Sequence, residues 1–434
     1  MANEYSVNQS DLVSIANAIR EKGSTSETLM FPSGFVSAIQ AIQAGGGGSI
    51  PKDVNFYDYD GTLLYSYTLE EAQALTALPD APAHDGLVFD GWNYSLESVK
   101  SLTRAMNIGA MYSTDDGMTR IYIHLEDGRT RPILGICPNG TVTVDWGDGT
   151  KPDTLIGTSL ATVKWTPTHN YASPGDYVIK LTVDGEAQLD GSSDFNAYSY
   201  ILRYDSGTYP RNRVYQNSIL KVEIGDGIRI GNSAFQNCSS LSNITIPHSV
   251  TSIGNYAFNS CYSLSNITIP DGVTSIGKYA FGNCSSLSNI TIPDGVTSIG
   301  SGVFSNCYSL PHITIPDGVT SIGSSVFGNC YSLSNITIPD GVTSIGSNAF
   351  SNCYSLPHIT IPDGVTSIGS NAFKNCYSMK YYDFTALTAI PTLSNTNAFT
   401  SIPADCEIRV PAALADKWKT ATNWAAHAKY IVGV

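Results

Sequence analysis

The sequence predicts a mostly β, multidomain protein in which a repeating solenoid is the largest part. Cysteines at 238, 261, 284, 307, 330, 353 and 376 and phenylalanines at 235, 258, 281, 304, 327, 350 and 373 keep one period of 23 residues. A fixed period of this length is typical of stacked coils. The length of 434 residues exceeds what one core usually supports. The low charged fraction, 14%, fits a β-rich extracellular type of protein.

Each repeat carries the signals of one strand, one turn and a return path. Ile336-Thr-Ile338 alternates apolar and polar residues, which predicts a strand with both isoleucines on one face. Pro339 ends the strand, because proline cannot donate to a continuing ladder, and Asp340-Gly341 is typical of a turn. Stacking would bury the remaining apolar positions, each large side chain contributing about 1.5–3 kcal/mol.

The repeat motif, Leu-x-x-Ile-x-Ile-Pro-x-x-Val-x-x-Ile-Gly-x-x-Ala-Phe-x-x-Cys, resembles the BspA-type leucine-rich repeats of bacterial and phage surface proteins. The resemblance covers residues 220–384 and implies a β-solenoid that serves adhesion and protein or glycan binding rather than catalysis. The cysteines of the ladder are expected to be buried free thiols, because neighbouring side chains in a ladder run parallel, which is a poor geometry for a disulfide.

Two ladders of side chains are candidates for contact with a host or ligand. The strands place polar residues on their outward face, and tyrosines recur after several of the cysteines. The candidates are Asn266, Thr268, Thr291, His312, Thr314, Thr337, His358, Thr360, Tyr262, Tyr308, Tyr331, Tyr354 and Tyr377. Tyrosine suits recognition because it is amphipathic and stiff. The alternative is that both ladders only solvate the stack and stabilise it by side-chain pairing.

Residues 1–44 predict a helical hairpin built on two apolar stripes. The stretch with Tyr5-Ser-Val-Asn-Gln-Ser-Asp-Leu12, Ala18-Ile-Arg20, Phe31-Pro-Ser-Gly-Phe35 and Ala38-Ile39 resembles a short module found at the start of tail and other structural proteins of phages of Gram-positive gut bacteria. That resemblance implies attachment to a virion, and the attachment candidates are Leu12, Ile15, Ile19, Phe35 and Ile39. The alternative is a hairpin without a special partner. Residues 45–50, rich in glycine, form a linker.

Residues 51–117 predict a small β unit. Two alternating strands flank Asp60-Gly61, a strong hairpin signal, and Leu87–Trp92 follows as a further strand. The pattern resembles β-grasp-like repeats of bacterial surface proteins. Asp58-Tyr-Asp60-Gly-Thr62 also matches the opening motif of haloacid-dehalogenase-type phosphatases. That chemistry needs magnesium and carboxylates from a doubly wound sheet, so the hairpin turn is the favoured interpretation.

Residues 118–188 predict a β-sandwich. Trp146-Gly-Asp-Gly149, followed by a His-x-Tyr-x-x-x-Gly-x-Tyr run that starts at His169, resembles a PKD/Ig-like domain, a class of spacers and binding modules. Trp146 and Tyr177 are expected to pack between the sheets. Asp145, Asp148 and Asp153 are candidate Ca²⁺ ligands, since hard cations bind several oxygens; the alternative is that they are turn residues.

The remaining segments are expected to close the solenoid. Residues 189–219 form a connector and cap, and residues 385–434 form a degenerate repeat and a C-terminal cap. In the latter, Pro411 favours a helix start, and helical segments around Trp418 and Trp424 would cover the exposed end of the core.

Charge and composition narrow the function. The net charge of −14 argues against nucleic acid and anionic lipid as partners, and no apolar run is long enough to cross a membrane. No catalytic constellation is visible, so an enzyme is not expected, and no cofactor other than Ca²⁺ is indicated. The N-terminus shows no secretory signal.

The favoured hypothesis is a phage virion protein of tail-fibre or receptor-binding type, located on the particle. Its partners would be other virion proteins, a host surface protein or glycan, and copies of itself. The alternatives are a bacterial cell-surface adhesin and a phage head-decoration fibre.

Overall fold

The structure is a computed structural model that describes residues 53–102, 106–126, 130–160, 164–165, 169–190, 202–204 and 218–434. The helical hairpin predicted for residues 1–44 and the linker at 45–50 lie outside the described residues, as does most of the connector at 189–219. Among the helices of the described ranges, none is long and apolar enough to cross a bilayer.

The first described part, here called the small domain (residues 53–102 and 106–114), is a four-stranded sheet with two short helices. Its elements are β1 (Val54–Tyr57), β2 (Leu63–Tyr67), α1 (Leu69–Gln73), β3 (Leu87–Trp92), α2 (Leu96–Lys100) and β4 (Met106–Thr114). The strand order is β2-β1-β4-β3, with β1 parallel to β4 and antiparallel to β2. The predicted hairpin is confirmed. Phe56, Trp92 and Val99 form part of its core.

The next part, here called the bridging unit, is antiparallel. Its strands are β5 (Thr119–Leu125), β6 (Pro132–Asp145), β7 (Asp153–Thr158), β8 (Lys164–Trp165), β9 (Gly175–Leu189) and β10 (Leu202–Tyr204). The long strands β6 and β9 pair with each other, and β5 pairs with the first half of β9. Trp146 is buried as expected, whereas Tyr177 is only partly buried. Tyr171 is also buried, and its hydroxyl donates to the Trp146 carbonyl at 2.7 Å.

The bridging unit runs into the solenoid without a break in hydrogen bonding. The first coil contains β11 (Ile219–Glu223) and β12 (Ile228–Ile230). Strand β11 pairs antiparallel with β5, and β12 pairs parallel with β9. The predicted division between the sandwich and the repeats therefore falls inside one continuous sheet, because β5 and β9 satisfy backbone groups that the first coil would otherwise expose.

Each later coil contributes one three-residue strand and usually one two-residue strand, and both types stack in parallel. The three-residue strands are β13 (Asn243–Thr245), β15 (Asn266–Thr268), β17 (Asn289–Thr291), β19 (His312–Thr314), β21 (Asn335–Thr337), β23 (His358–Thr360) and β25 (Tyr381–Asp383). The two-residue strands are β14 (Ser252–Ile253), β16 (Ser275–Ile276), β18 (Ser298–Ile299), β20 (Ser321–Ile322), β22 (Ser344–Ile345), β24 (Ser367–Ile368) and β26 (Thr392–Leu393). The predicted stacking is confirmed, since partners such as Ile313 and Ile336 are one repeat apart.

Identical side chains stack through the core. Neighbouring phenylalanine rings lie 5.4–5.8 Å apart from Phe235 to Phe373. The cysteines are buried free thiols, as predicted. Each ladder thiol beyond the first reaches a carbonyl of the preceding coil, as Cys261 does to Phe235 at 3.1 Å. Gly346 marks how closely the coils approach, because a Cβ there would lie 2.6 Å from the backbone nitrogen of Ser324.

A second internal ladder consists of asparagines in the left-handed conformation. Asn329 has φ 62° and donates its amide to Asn306 at 2.6 Å. Asn306 donates in turn to Asn283 at 2.7 Å, and Asn375 to Asn352 at 2.7 Å. Asparagine fits because it tolerates positive φ better than most residues and its amide can both donate and accept.

The C-terminal end of the core is closed as the sequence predicts. Strands β27 (Glu407–Val410) and β28 (Ile431–Gly433) extend the sheet beyond β25. Between them lie a 3₁₀ turn (Ala412–Leu414), α3 (Ala415–Thr420) and a second 3₁₀ segment (Trp424–Tyr430). The two tryptophan rings are buried 4.5 Å apart, where they cover the aromatic end of the core.

Candidate contact surfaces

The outward side of the three-residue strands, here called the sheet face, is partly covered by the small domain. Asn107 of β4 donates its amide to Oδ1 of Asn289 at 3.0 Å. Asn266 donates its amide to the Tyr59 carbonyl at 3.0 Å, and Thr291 donates its hydroxyl to the Asn107 carbonyl. The contact is polar, and it joins backbone and amide groups on the two sides.

The fit between the small domain and the sheet face is close. A Cβ on Gly109 would lie 2.3 Å from the Thr268 hydroxyl oxygen, so the backbone of β4 rests directly on that side chain. The Tyr94 hydroxyl also donates to the Asp294 carboxylate at 3.2 Å. A glycine is therefore required where the two parts touch.

Three of the predicted contact residues are not open to a host surface. Asn266 and Thr291 are only 5% and 7% exposed, and Thr268 lies beneath Gly109. The expectation that the whole outward ladder is a contact surface is therefore corrected for these three positions. The repeat pattern identifies which face points outward, but it carries no information about a domain elsewhere in the chain that packs on it.

The other half of the sheet face is open. His312, Thr337, His358 and Thr360 are exposed, and Thr314 is half-buried. The His358 ring stacks on Tyr381 at 5.3 Å, and the Arg409 guanidinium lies 3.9 Å from the centre of the Tyr381 ring. Sequence reasoning missed Tyr381 and Arg409. Tyr381 lies one 23-residue repeat after His358, so the spacing could have found it. Arg409 lies in β27, which pairs with β25 at a spacing of 26 residues and therefore falls outside the repeat period.

A cleft of about 350 Å³ lies where the small domain ends and the open half of the sheet face begins. Asp53, Asn55 and Asn107 form its wall on the small-domain side. The solenoid side consists of side chains from three successive strands, which are Thr291, His312, Thr314, Asn335 and Thr337. The Asn107 amide nitrogen lies 2.8 Å from Nε2 of His312, so the two sides of the cleft are in contact at one end.

The predicted tyrosine row forms a stacked ladder over four successive coils, here called the tyrosine ladder. Rings 308, 331, 354 and 377 follow one another at 4.7, 4.7 and 5.1 Å. Tyr308 and Tyr377 are 38% and 56% exposed. Burial, reinforced by the neighbouring Tyr331, raises the pKa of Tyr308 above its ordinary value. Tyr262 is also exposed, but Ser285 occupies this position in the intervening coil and separates it from the ladder.

The three calcium candidates do not converge. Asp145 accepts from the Gly147 backbone nitrogen, Asp148 accepts from Thr150 and contacts the His169 ring at 2.8 Å, and Asp153 accepts from the Trp146 indole. In the described ranges no group of three or more His, Cys, Asp or Glu side chains could hold a metal ion. The geometry favours the turn interpretation, because these carboxylates bind local backbone or side-chain donors.

The phosphatase-like motif forms a hairpin turn. The Asp58 carboxylate accepts from the Tyr59 backbone nitrogen and lies 2.9 Å from Nε2 of His84, while Asp60 accepts from the Thr62 backbone nitrogen. The surrounding sheet is mixed and four-stranded, not doubly wound. The turn interpretation accounts for this motif. The attachment candidates Leu12, Ile15, Ile19, Phe35 and Ile39 lie outside the described residues.

The similarity of this chain to known proteins lies in its repeats. The family profile described as "BspA type Leucine rich repeat region" matches six copies over residues 210–333 and 320–412. The carboxy-terminal half of this chain is a BspA-type leucine-rich repeat solenoid. A comparison with curated proteins found no match.

Several solved structures are similar to the BspA-type solenoid. A leucine-rich repeat protein from T. pallidum is 32% identical to this chain, with a TM-score of 0.34. The match covers 37% of this chain and 78% of that chain. A leucine-rich repeat protein from Bacteroides ovatus is 27% identical over 44% of this chain and 56% of that chain, with a TM-score of 0.33. A leucine-rich cell surface protein from Faecalibacterium prausnitzii is 25% identical over 56% and 90%, with a TM-score of 0.29.

Proposed function

We propose that this chain is a non-enzymatic adhesion protein whose BspA-type solenoid contacts a protein or glycan on another surface. The observation that carries the proposal is the exposed tyrosine ladder. Four stacked rings present a continuous row of amphipathic groups, and stacking restricts each ring before any partner arrives. Less side-chain entropy is then lost on binding, which favours affinity.

The test uses substitutions that the chain itself tolerates. Ser239 and Ser285 occupy the ladder position in two other coils, so Tyr331→Ser and Tyr354→Ser should keep the fold. Binding of the labelled chain to a panel of bacterial cells would be measured by flow cytometry, and each variant should bind at least several-fold less than the unmodified chain.

The matched control for this test lies on another row of the solenoid. Tyr256 also stacks on the next tyrosine, Tyr279, at 5.5 Å, and Ser233 occupies the same position one coil earlier. Tyr256→Ser should therefore bind like the unmodified chain. Equal binding by the ladder variants and the control, or no binding of the unmodified chain to any cell, would reject the proposal.

For the carrier we propose a phage particle, because residues 5–44 resemble a module that begins phage structural proteins. In this proposal Leu12, Ile15, Ile19, Phe35 and Ile39 contact other virion proteins, and copies of the chain associate. A bacterial cell surface and a phage head fibre are the alternatives. Immunogold labelling distinguishes them, because gold on tails, heads or cell walls assigns the chain to one of the three.

The bridging unit resembles a PKD domain, which suggests that it is a spacer. Its strand pairing with the first coil suggests that this spacer is stiff. Because β5 and β9 pair with the first coil, we propose that this unit fixes the direction in which the solenoid leaves the rest of the chain. Slow amide hydrogen exchange along β11 and β12, comparable with that of the central coils, is the expected result, and rapid exchange there would indicate a hinge.

A further inference from the structure

We infer that the cleft between the small domain and the open sheet face binds a neutral saccharide unit. The inference rests on the proposed adhesive function and deepens it by naming a site and a ligand class. The cleft volume of about 350 Å³ falls at the lower end of the range of small-molecule sites. Its two walls come from residues far apart in the sequence, so the site exists only when the small domain is docked.

The chemistry of the cleft matches vicinal hydroxyl groups. The Asn335 amide and the Thr314 and Thr337 hydroxyls can each donate and accept, whereas the Asn55 and Asn107 amides already bond to each other and to further protein groups. A sugar ring presents several groups that also donate and accept, and they need partners of both kinds when water is displaced. Ile313 and Ile336 also line the cleft, but their side chains point into the solenoid core, so the cleft offers a sugar mainly polar partners.

Some of these polar groups have no protein partner. Within the described part of the chain, the Asn335 amide and the Thr314 and Thr337 hydroxyls make no hydrogen bond to another residue. By contrast, the corresponding groups of the covered coils are used in docking, as Asn289 binds Asn107 and Thr291 binds its carbonyl. The same ladder positions therefore hold a domain in one half of the sheet and remain available to a ligand in the other.

The charges of the lining exclude other ligand classes. No lysine or arginine lines the cleft, so phosphorylated, sulfated or sialylated ligands would find no cationic partner. Asp53 also lines the cleft, and its negative charge would repel an anion. One of its carboxylate oxygens accepts from the Leu69 backbone nitrogen, and the other can accept from a hydroxyl. A neutral saccharide meets these conditions better than an acidic one.

The experiment probes the full chain with an array of neutral and of sialylated or sulfated oligosaccharides, followed by calorimetry with the strongest neutral compound. We expect binding to neutral compounds. Asn335→Ala and Thr337→Val should each weaken binding and raise the dissociation constant about tenfold. Asn335→His adds a larger ring that already occurs at this register in His312 and His358, and it should weaken binding without disturbing the fold.

Thr360→Val is the matched control, because Thr360 occupies the position of Thr337 one coil further on and lies outside the cleft. It should leave the dissociation constant unchanged. An equal loss with Thr360→Val, binding only to acidic compounds, or binding to none would overturn the inference. Cell binding through the tyrosine ladder is measured separately, so a negative array with positive cell binding rejects the cleft alone.

Discussion

The Nδ2 atom of Asn107 lies 3.0 Å from Oδ1 of Asn289 and joins the small domain to the BspA-type solenoid. The two residues are 182 positions apart in the sequence. This bond belongs to a chain of amides, since Asn289 donates in turn to Asn266 at 3.0 Å, and Asn266 donates to the small-domain backbone at Tyr59. The ladder on the sheet face is therefore used to hold another part of the same chain.

Gly109→Ala should weaken or abolish docking of the small domain. The new Cβ would lie 2.3 Å from Thr268 Oγ1 and 2.7 Å from its Cγ2, distances that real Cβ atoms do not show. We expect faster amide hydrogen exchange at residues 266–268 and 289–291 than in the unmodified chain. A second substitution, Thr268→Ala, removes both of those atoms and should restore protection. Unchanged exchange in the single variant would contradict the docked arrangement.

Asn329→Ala should destabilise the solenoid more than Asn329→Gly. Both remove the amide that links Asn306 and Asn352, at a cost of about 1–3 kcal/mol for the groups left unpaired. Placing alanine in the left-handed conformation at φ 62° costs about 1–2 kcal/mol more, the usual penalty for a residue with a Cβ, whereas glycine adopts this conformation without that cost. Urea denaturation followed by circular dichroism measures the difference. Equal midpoints would show that the left-handed conformation is not maintained in solution.

Raising the pH above 9 should destabilise the solenoid through its thiols. Burial raises the pKa of Cys284, Cys330 and Cys376 from 9.0 to about 12. Between these values the unfolded chain loses protons that the native chain keeps, so the free energy of unfolding falls as pH rises. The fall is about 1.4 kcal/mol per pH unit for each thiol.

Denaturant titrations at pH 8, 9 and 10 with a reductant present test this expectation. The variant Cys284→Ala is the control, because it lacks one titrating thiol and should show a shallower dependence on pH, whatever its absolute stability. The same slope in both proteins would mean that this thiol ionises in the native state. Below pH 9 the two proteins should differ by a constant amount.

Trp418→Ala should loosen the C-terminal end of the core. The Trp418 ring is fully buried, 5.2 Å from Phe384 and 4.5 Å from Trp424, and its removal leaves a cavity. We expect the free energy of unfolding to fall by about 3–5 kcal/mol. The thermal midpoint should be lower, and amide hydrogen exchange in β25 and β27 should be faster. Lys419→Ala, at the exposed neighbouring position, should have little effect. A stable Trp418→Ala variant would indicate that the last strands close the stack without the helices.

The solenoid could be predicted in detail because the residues that determine each coil lie close together in the sequence and recur in every repeat. Ile336 and Ile338 point inward, Pro339 ends the strand, and the same pattern recurs one coil later. The predicted thiol ladder and the covering tryptophans follow from the same logic, since every coil meets a copy of itself and only the last one needs a cap.

The candidate site could be predicted only in part. The tyrosine ladder followed directly from the 23-residue spacing, and the register that gave His312 and His358 also contains Asn335. The sequence carries no comparable signal for the roles of Asn107 and Gly109, because a single amide and a single glycine in a short strand are compatible with many environments. Their significance comes from the contact that each makes across the domain boundary.

The amino-acid order thus specifies the coil, its inward and outward positions, and the residues that stack from one coil to the next, because each depends on neighbours a fixed distance along the chain. Which outward positions stay open, where the cleft lies, and that the first coil continues a sheet begun by β5 and β9 depend on three-dimensional packing. These features come from contacts between segments with no shared period, so their energies depend on surfaces that form only after each part has folded.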